Sequence, residues 1–280
     1  MKQLPYRILA IDMDGTTLNS HNTLSSRNRN ALIRAIGAGV FVVPATGRLY
    51  SGLPPELEEV PGIRYYLCSN GAVVYDKADC RVLHQILMPP ETAVWALRVI
   101  TAHGGMVDVY LNGRAYTSRK RYAHPLQYGV QPDHVETFRR SRTPVADLAD
   151  FLEKQKEPVE KLFSIFQNMQ ARSRCWDILT ADNRLAVTTS FETVIEVTDR
   201  EATKGGGLRA LAAHLQVPQT EVMAVGDGHN DLSMLEWAGL GVAMGNAAAL
   251  VRSRADVITG NCADAGLAQA IDRWIFQTNV

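Results

Sequence analysis

Apolar positions follow two different patterns along this chain. Near the start they form short unbroken runs, Ile8 to Ile11, Val40 to Val43 and Tyr65 to Cys68. Unbroken apolar runs bounded by turn residues predict strands buried on both faces, as in a parallel sheet. Between the first two, Ser25 or Ser26 caps a predicted helix that carries Leu32, Ile33 and Ile36 on one face, and Gly37 or Gly39 ends it. From about Pro89 to Glu192 the strand candidates more often alternate. Val107 to Leu111, then Asn112-Gly113, then Arg114 to Tyr116 predict a hairpin with an Asn-Gly turn. Lys161 to Gln167 and Leu185 to Thr189 are further strand candidates. Helices are predicted at Glu91 to Ala102, Val145 to Glu153 and Asn168 to Leu179. The basic and aromatic stretch from Tyr116 to Arg142 fits neither period. After about Val197 the first pattern returns, with a helix from Lys204 to His214 and a buried strand from Glu221 to Val225. A helix from about Asn230 to Trp237, a short strand at Gly241 to Ala243 and a last helix over Gly266 to Phe276 complete it. A parallel α/β domain is therefore split in sequence by an antiparallel α+β domain.

Composition adds limits. A chain of 280 residues accommodates two domains, and 46% hydrophobic content supports their cores without disulfides or structural metals. Formal net charge is zero, which gives no reason to expect nucleic acid or an anionic membrane as partner. Cys68, Cys80, Cys175 and Cys262 are scattered, with no CxxC pair, and read as buried free thiols in a reducing compartment. The first apolar stretch is broken by Pro5 and Arg7 and ends in acids, unlike a signal peptide. No apolar run is long enough to span a bilayer. The expectation is a soluble, cytoplasmic monomer or homodimer.

The chemistry lies where the buried runs end. Asp12-Met13-Asp14-Gly15-Thr16 follows the first strand. Ligand sites of open parallel sheets lie at the carboxyl ends of strands. Two carboxylates two residues apart repel unless something positive sits nearby, and a hard divalent cation meets that need. Read alone, the segment is also an acidic turn into the next helix. Gly226-Asp227-Gly228-His229-Asn230-Asp231 ends a second strand at the same sheet edge. One acidic turn is ordinary; two at one edge imply a bound cation. Thr46-Gly47-Arg48 follows the second strand, and its hydroxyl and backbone N–H groups suit a phosphate oxygen or a plain helix cap. Lys204, before Gly205-Gly206-Gly207, opposes a helix dipole unless it meets an anion; a solvated side chain is the alternative.

Together these segments resemble the haloacid dehalogenase-like hydrolases, and within them the Cof-type sugar-phosphatase group. The segments are Asp12 to Thr16, Ala45 to Arg48, Lys204 with its glycines, and Gly226 to Asp231. Ser69-Asn70-Gly71-Ala72 and Ala243-Met244-Gly245-Asn246-Ala247 also look like that group. Thr17 departs from it, since relatives often carry Leu there. The resemblance implies a Rossmann-like core over residues 1–87 and 193–280 and an inserted α+β cap over 88–192. It implies a magnesium-dependent phosphatase of small phosphorylated metabolites. Asp12 would attack phosphorus, and Asp14 would serve as acid and then base. Mg2+ would be held by the carboxylates of Asp12 and Asp227 and the backbone carbonyl of Asp14, with Asp231 orienting a metal-bound water or Lys204. Met13, Thr46, Gly47, Arg48, Lys204 and Asn230 would bind phosphate or substrate.

In the expected cap, Arg114, Arg119 and His124 are candidate substrate contacts, although solvated side chains explain them more simply. Asn70 and Gly71 sit with Arg48 on loops that a cap could meet. Three other functions stay open: a phosphosugar mutase-type phosphotransferase using the same Asp12, a regulatory relative without catalysis, and DNA binding by the basic 114–121 stretch. The neutral charge balance counts against the last.

Overall fold

The computed structural model describes residues 4–278 apart from 20, 22, 133 and 134, so the extreme ends of the expected core span lie outside the described residues. The chain divides into two compact units. One comprises Met1–Gly47, Leu53–Gln85 and Thr203–Val280; the other comprises Arg48–Gly52 and Ile86–Ala202.

The first unit opens with β1 (Ile8–Ile11), every residue of it buried. Helix α1 (Ser26–Gly37) follows, capped by the Ser25 side chain, which accepts from the Asn28 N–H. Strand β2 (Phe41–Pro44) returns parallel to β1, with Ala10 beside Val43. Strand β3 (Tyr65–Cys68) is also fully buried, but it does not join the parallel sheet as a full member. It pairs antiparallel with β4 (Val73–Asp76), which pairs in turn with β5 (Arg81–Gln85). The cause is local. Ser69, Asn70 and Gly71 all take left-handed backbone angles, with φ of 51°, 59° and 90°, and turn the chain straight back. A single parallel bridge, Ala45 to Leu67, ties this small sheet to the end of β2.

The second unit is a six-stranded sheet with helices on one face. Helix α2 (Pro90–Ala102) leads into β6 (Met106–Leu111) and β7 (Arg114–Ser118). Asn112 and Gly113 turn that hairpin with φ of 50° and 70°, the left-handed pair that suits strand twist. The stretch that fitted neither period contains two short helices, α3 (Arg119–Ala123) and α4 (Val135–Ser141), and the edge strand β8 (Arg142–Val145). Helix α5 (Leu148–Gln155), β9 (Lys161–Ile165), α6 (Met169–Thr180), β10 (Leu185–Thr188) and β11 (Val194–Asp199) complete the unit. The strand order is β10-β11-β9-β6-β7-β8, antiparallel except between β7 and β8. The core takes the helix-facing residues, among them Val107, Val109, Leu162, Ile195 and Val197, with Leu97, Leu152 and Leu179 from the helices. The sequence placed the return to the first domain at residue 193. Here β11 pairs with β9 and the second unit runs on to Ala202.

The chain re-enters the first unit through α7 (Lys204–His214), β12 (Val222–Gly226) and α8 (Leu232–Trp237). Strand β13 (Leu240–Ala243), α9 (Ala249–Arg254), β14 (Val257–Ile258) and α10 (Gly266–Ala270) follow. The parallel sheet has the order β14-β13-β12-β1-β2, so β1 is central and the ends of β12 and β2 flank it. The fold is a Rossmann-like α/β core with a separate α+β insertion. All four cysteines are free; Cys68 and Cys175 are buried as expected, but Cys80 is exposed and Cys262 half-buried. Among the described residues no helix is long and apolar enough to cross a membrane.

Candidate active site

Asp12 is the first residue beyond β1, and its N–H donates to the carbonyl of Val225 on β12, 2.9 Å away. This backbone bond sets the first acidic turn beside the second. The turn is then tightened from within. The carbonyl of Asp12 accepts from Thr17 Oγ1 at 2.6 Å, and that of Met13 accepts from the Leu18 N–H at 2.8 Å. Thr17 thus has a structural task. Gly15 has a φ of 81°, and a Cβ there would lie 2.5 Å from Asp227 Oδ2. Only glycine lets the two turns approach this closely.

Lys204 is fully buried, not solvated. Its Nζ lies 2.5 Å from Asp12 Oδ1 and 2.6 Å from Asp231 Oδ1. The glycines after it belong to the helix and permit its approach. A Cβ on Gly205 would sit 2.2 Å from the Ser233 carbonyl oxygen, and one on Gly207 would sit 2.9 Å from that of Gly71. Thr203 caps the helix by accepting from the Gly206 N–H at 3.0 Å. Asp231 uses its other oxygen on the backbone N–H groups of Asp227 and Gly228, each at 2.9 Å. Its carboxylate therefore holds Lys204 and the β12 turn at once.

Asp227 is half-buried, and its Oδ1 accepts from Thr16 Oγ1 at 2.9 Å. Carboxylate oxygens of Asp12, Asp227 and Asp231 lie within 4.8 Å of one another. Burial, then the charge of Asp231, pushes the Asp12 pKa well above the usual carboxylate range, against the opposing pull of Lys204. Asp227 is pushed up to about 6, again by burial first and Asp231 second, with Asp14 adding to the rise. Burial alone would lower the Lys204 pKa, but Asp12 and Asp231 outweigh it and raise it. Three carboxylates thus face one ammonium, a formal deficit of two positive charges. A hard dication with oxygen ligands fits that donor set. Asp12 and Asp227 could hold it, beside an Asp231 that makes three contacts with Lys204 and the β12 turn.

On the other side of β1, the Thr46 N–H donates to the Leu67 carbonyl at 2.8 Å and the Asn70 N–H donates to the Thr46 carbonyl at 3.0 Å. Asn70 Oδ1 accepts from Asn230 Nδ2 at 3.3 Å, which links this loop to the β12 turn. A Cβ on Gly71 would lie 2.1 Å from the Thr203 carbonyl oxygen, so the same loop packs against the start of α7. Asp12, Thr46, Lys204, Asp227, Asn230 and Asp231 therefore share one end of the parallel sheet. Asp14 sits half-buried beside them, and Gly47 closes the first segment of this unit. The Met13 side chain is fully buried, so only its backbone is available to an anion. Arg48 belongs with the second unit. Three side chains in this network had no task assigned from sequence. Thr16, Asn70 and Asn246 all lay inside segments that resemble the family, and Asn246 donates to the Gly15 carbonyl at 2.8 Å.

Comparison with known proteins finds relatives along nearly the whole chain. The haloacid dehalogenase-like hydrolase family matches residues 9–271. The chain is 32% identical over 279 residues to the phosphatase YwpJ of Bacillus subtilis (strain 168), covering 90% of this chain and 94% of that protein. It is 28% identical over 275 residues to the pyridoxal phosphate phosphatase YbhA of Escherichia coli (strain K12), covering 95% and 97%. A solved haloacid dehalogenase-like hydrolase from B. subtilis matches the fold with a TM-score of 0.82 at 28% identity, over 95% of this chain and 99% of that one. The chain belongs to the haloacid dehalogenase-like hydrolases and is an enzyme of that family.

Proposed function

We propose that this enzyme is a magnesium-dependent phosphatase of small phosphorylated metabolites, sugar phosphates or related phosphomonoesters. The observation that carries the reading is the charge deficit at the sheet end, where Asp12 is bonded to a buried lysine and stands beside Asp227. Relatives are named for pyridoxal phosphate and for 5-amino-6-(5-phospho-D-ribitylamino)uracil, the latter in B. subtilis at 30% identity. Both are compact phosphate monoesters.

In this reading Asp12 attacks phosphorus and forms an aspartyl-phosphate while the bond to the leaving oxygen breaks. Asp14, half-buried and thus able to reach solvent, gives that oxygen its proton and then takes one from the water that cleaves the aspartyl-phosphate. Lys204 favours the ionised form of Asp12 against burial and orients it, and with Thr46, Gly47, Asn230 and the Met13 backbone it receives the phosphoryl oxygens. Arg48 extends the contact to the substrate. The Asp12 and Asp227 carboxylates and the Asp14 backbone carbonyl would hold Mg2+, which when bound supplies positive charge to the phosphoryl oxygens.

Release of inorganic phosphate from a panel of sugar phosphates, nucleotides and phosphorylated cofactors, with and without MgCl2, tests this reading. Phosphate release that needs Mg2+ is expected, and isomerised sugar phosphate in its place would indicate transfer. Asp12→Asn is expected to lower kcat by about 10^4-fold or more while circular dichroism stays unchanged. Full turnover by that folded variant would overturn the assignment. Asp14→Asn should slow alkyl phosphates about 100-fold more than aryl phosphates, whose leaving groups need no proton.

A further inference from the structure

The segment Ala243 to Ala247 stands out in the sequence, yet the proposed chemistry gives it no task. Its Asn246 lies three residues past the end of β13, with an exposed side chain. Exposed asparagines usually wander among rotamers, but this one is fixed at both ends of its amide. Asn246 Oδ1 accepts from the Cys262 N–H at 2.8 Å, and Nδ2 donates to the Gly15 carbonyl at 2.8 Å. The two partners settle which end is nitrogen, because an N–H can only donate and a carbonyl can only accept. Nδ2 also reaches Asp227 Oδ2 at 3.4 Å, a longer and weaker contact.

One amide group therefore bridges three turns that no local sequence connects. It touches the turn after Asp14, the turn after β12 and the single helical turn at Cys262–Asp264. The pairing is complementary to that of Thr16. Thr16 Oγ1 donates to Asp227 Oδ1 and Asn246 reaches Asp227 Oδ2, so each oxygen of that carboxylate meets one donor and keeps a lone pair for a cation. Rotation of the Asp227 side chain would break one contact or both. Gly245 supports the bridge from behind, since a Cβ there would lie 2.8 Å from Asn261 Oδ1.

We infer that Asn246 is a positioning residue that fixes the Asp227 carboxylate against the Asp14–Gly15 turn and thereby sets the affinity for Mg2+. This rests on the reading of Asp227 as a metal ligand. Partners that orient a ligating carboxylate are worth about 10- to 100-fold in metal affinity.

The test is isothermal titration of the metal-free protein with MgCl2, alongside Mg2+-induced change in Tm, for the parent protein, Asn246→Ala, Asn246→Leu and Asp227→Ala. Both Asn246 variants are expected to weaken Mg2+ binding about tenfold and shrink the Mg2+-induced rise in Tm. The leucine keeps the volume but donates nothing, so equal weakening in both variants separates the hydrogen bonds from packing. In steady-state assays the Mg2+ concentration for half-maximal rate should rise about tenfold, with a smaller loss of kcat at saturating Mg2+. Unchanged Mg2+ affinity in both Asn246 variants, with binding lost in Asp227→Ala, would overturn the inference and leave the proposed function standing. Unchanged affinity in Asp227→Ala would remove the metal reading itself.

Discussion

Each unit of this protein buries a cluster of charges, and the two clusters are built on opposite principles. In the second unit each of the two carboxylates Glu196 and Asp108 has at least one cation of its own. Lys161 and Glu196 are each 2% exposed and paired at 2.6 Å, with Ser190 donating to the second oxygen of Glu196 at 2.6 Å. Asp108, fully buried, accepts from Arg121 on one oxygen at 2.5 Å and from Arg142 on the other at 3.1 Å. Arg142 also donates to Tyr110 Oη at 3.3 Å. In the first unit Asp12, Asp227 and Asp231 share one lysine. Buried carboxylates that are each bonded to a cation within the protein are compatible with a structural task. An unmatched cluster is costly unless something from outside completes it. The same arrangement, a buried lysine on carboxylate, thus serves one carboxylate in the second unit and is shared among several in the first.

The largest way to break the comparison is to remove the lysine from each cluster. Lys204→Met is expected to lower kcat/KM about 10^3-fold, because in the proposed reaction the phosphoryl oxygens lose a donor and Asp12 loses its counter-ion. The variant should still fold at pH 5, where protons stand in for the missing cation, and circular dichroism checks that. Lys161→Met is expected to act on stability, by about 3 kcal/mol in urea unfolding, because Glu196 stays buried with one partner gone. That loss should be the same with and without Mg2+, measured on the same titration series.

The smallest effect sharpens the contrast through pH. An acid whose pKa is raised in the folded protein binds its proton more tightly there than in the unfolded chain. The resulting penalty is complete above the folded pKa and vanishes as pH falls to the unfolded value. For Asp227 that window runs from about 6 down to the ordinary carboxylate range near 4, and Asp12 shifts in the same direction. Metal-free protein should therefore gain stability from these groups as pH falls from 7 to 5. In the proposed site Mg2+ takes the ionised carboxylates, so its effect on Tm should be several degrees larger at pH 8 than at pH 5. Equal Mg2+ effects at both pH values, by differential scanning fluorimetry, would contradict the charge account.

The two units also differed in how much of them could be read in advance. The runs Ile8–Ile11 and Val222–Gly226 were legible because a strand buried on both faces leaves an unbroken apolar signature, and the acids stood at its ends. The hairpin around Asn112-Gly113 was legible because its turn chemistry is local. Tyr65–Cys68 was buried as expected, yet its direction of pairing hung on three left-handed residues that have no periodic signal. Lys204 showed only that it opened a helix. Its burial depends on Asp12, 192 positions away, and on Asp231, 27 positions away. Arg48 is two residues beyond Thr46, but the residue after it decides its company: Leu49 packs with Tyr110, Ala115 and Phe163 of the second sheet. The bridge made by Asn246 spans 231 positions to Gly15, and no local rule reaches that far.

The short excursion Arg48–Gly52 has a consequence for engineering. The chain crosses between its two units at four places, after Gly47, Gly52, Gln85 and Ala202. The insertion is therefore not a cassette with one entrance and one exit. A chimera that exchanges only residues 86–202 for the corresponding part of a relative would keep a Leu49 fitted to a hydrophobic socket that has been replaced. Transplanting the second unit from a relative into this chain calls for two segments to travel together, the long one and these five residues.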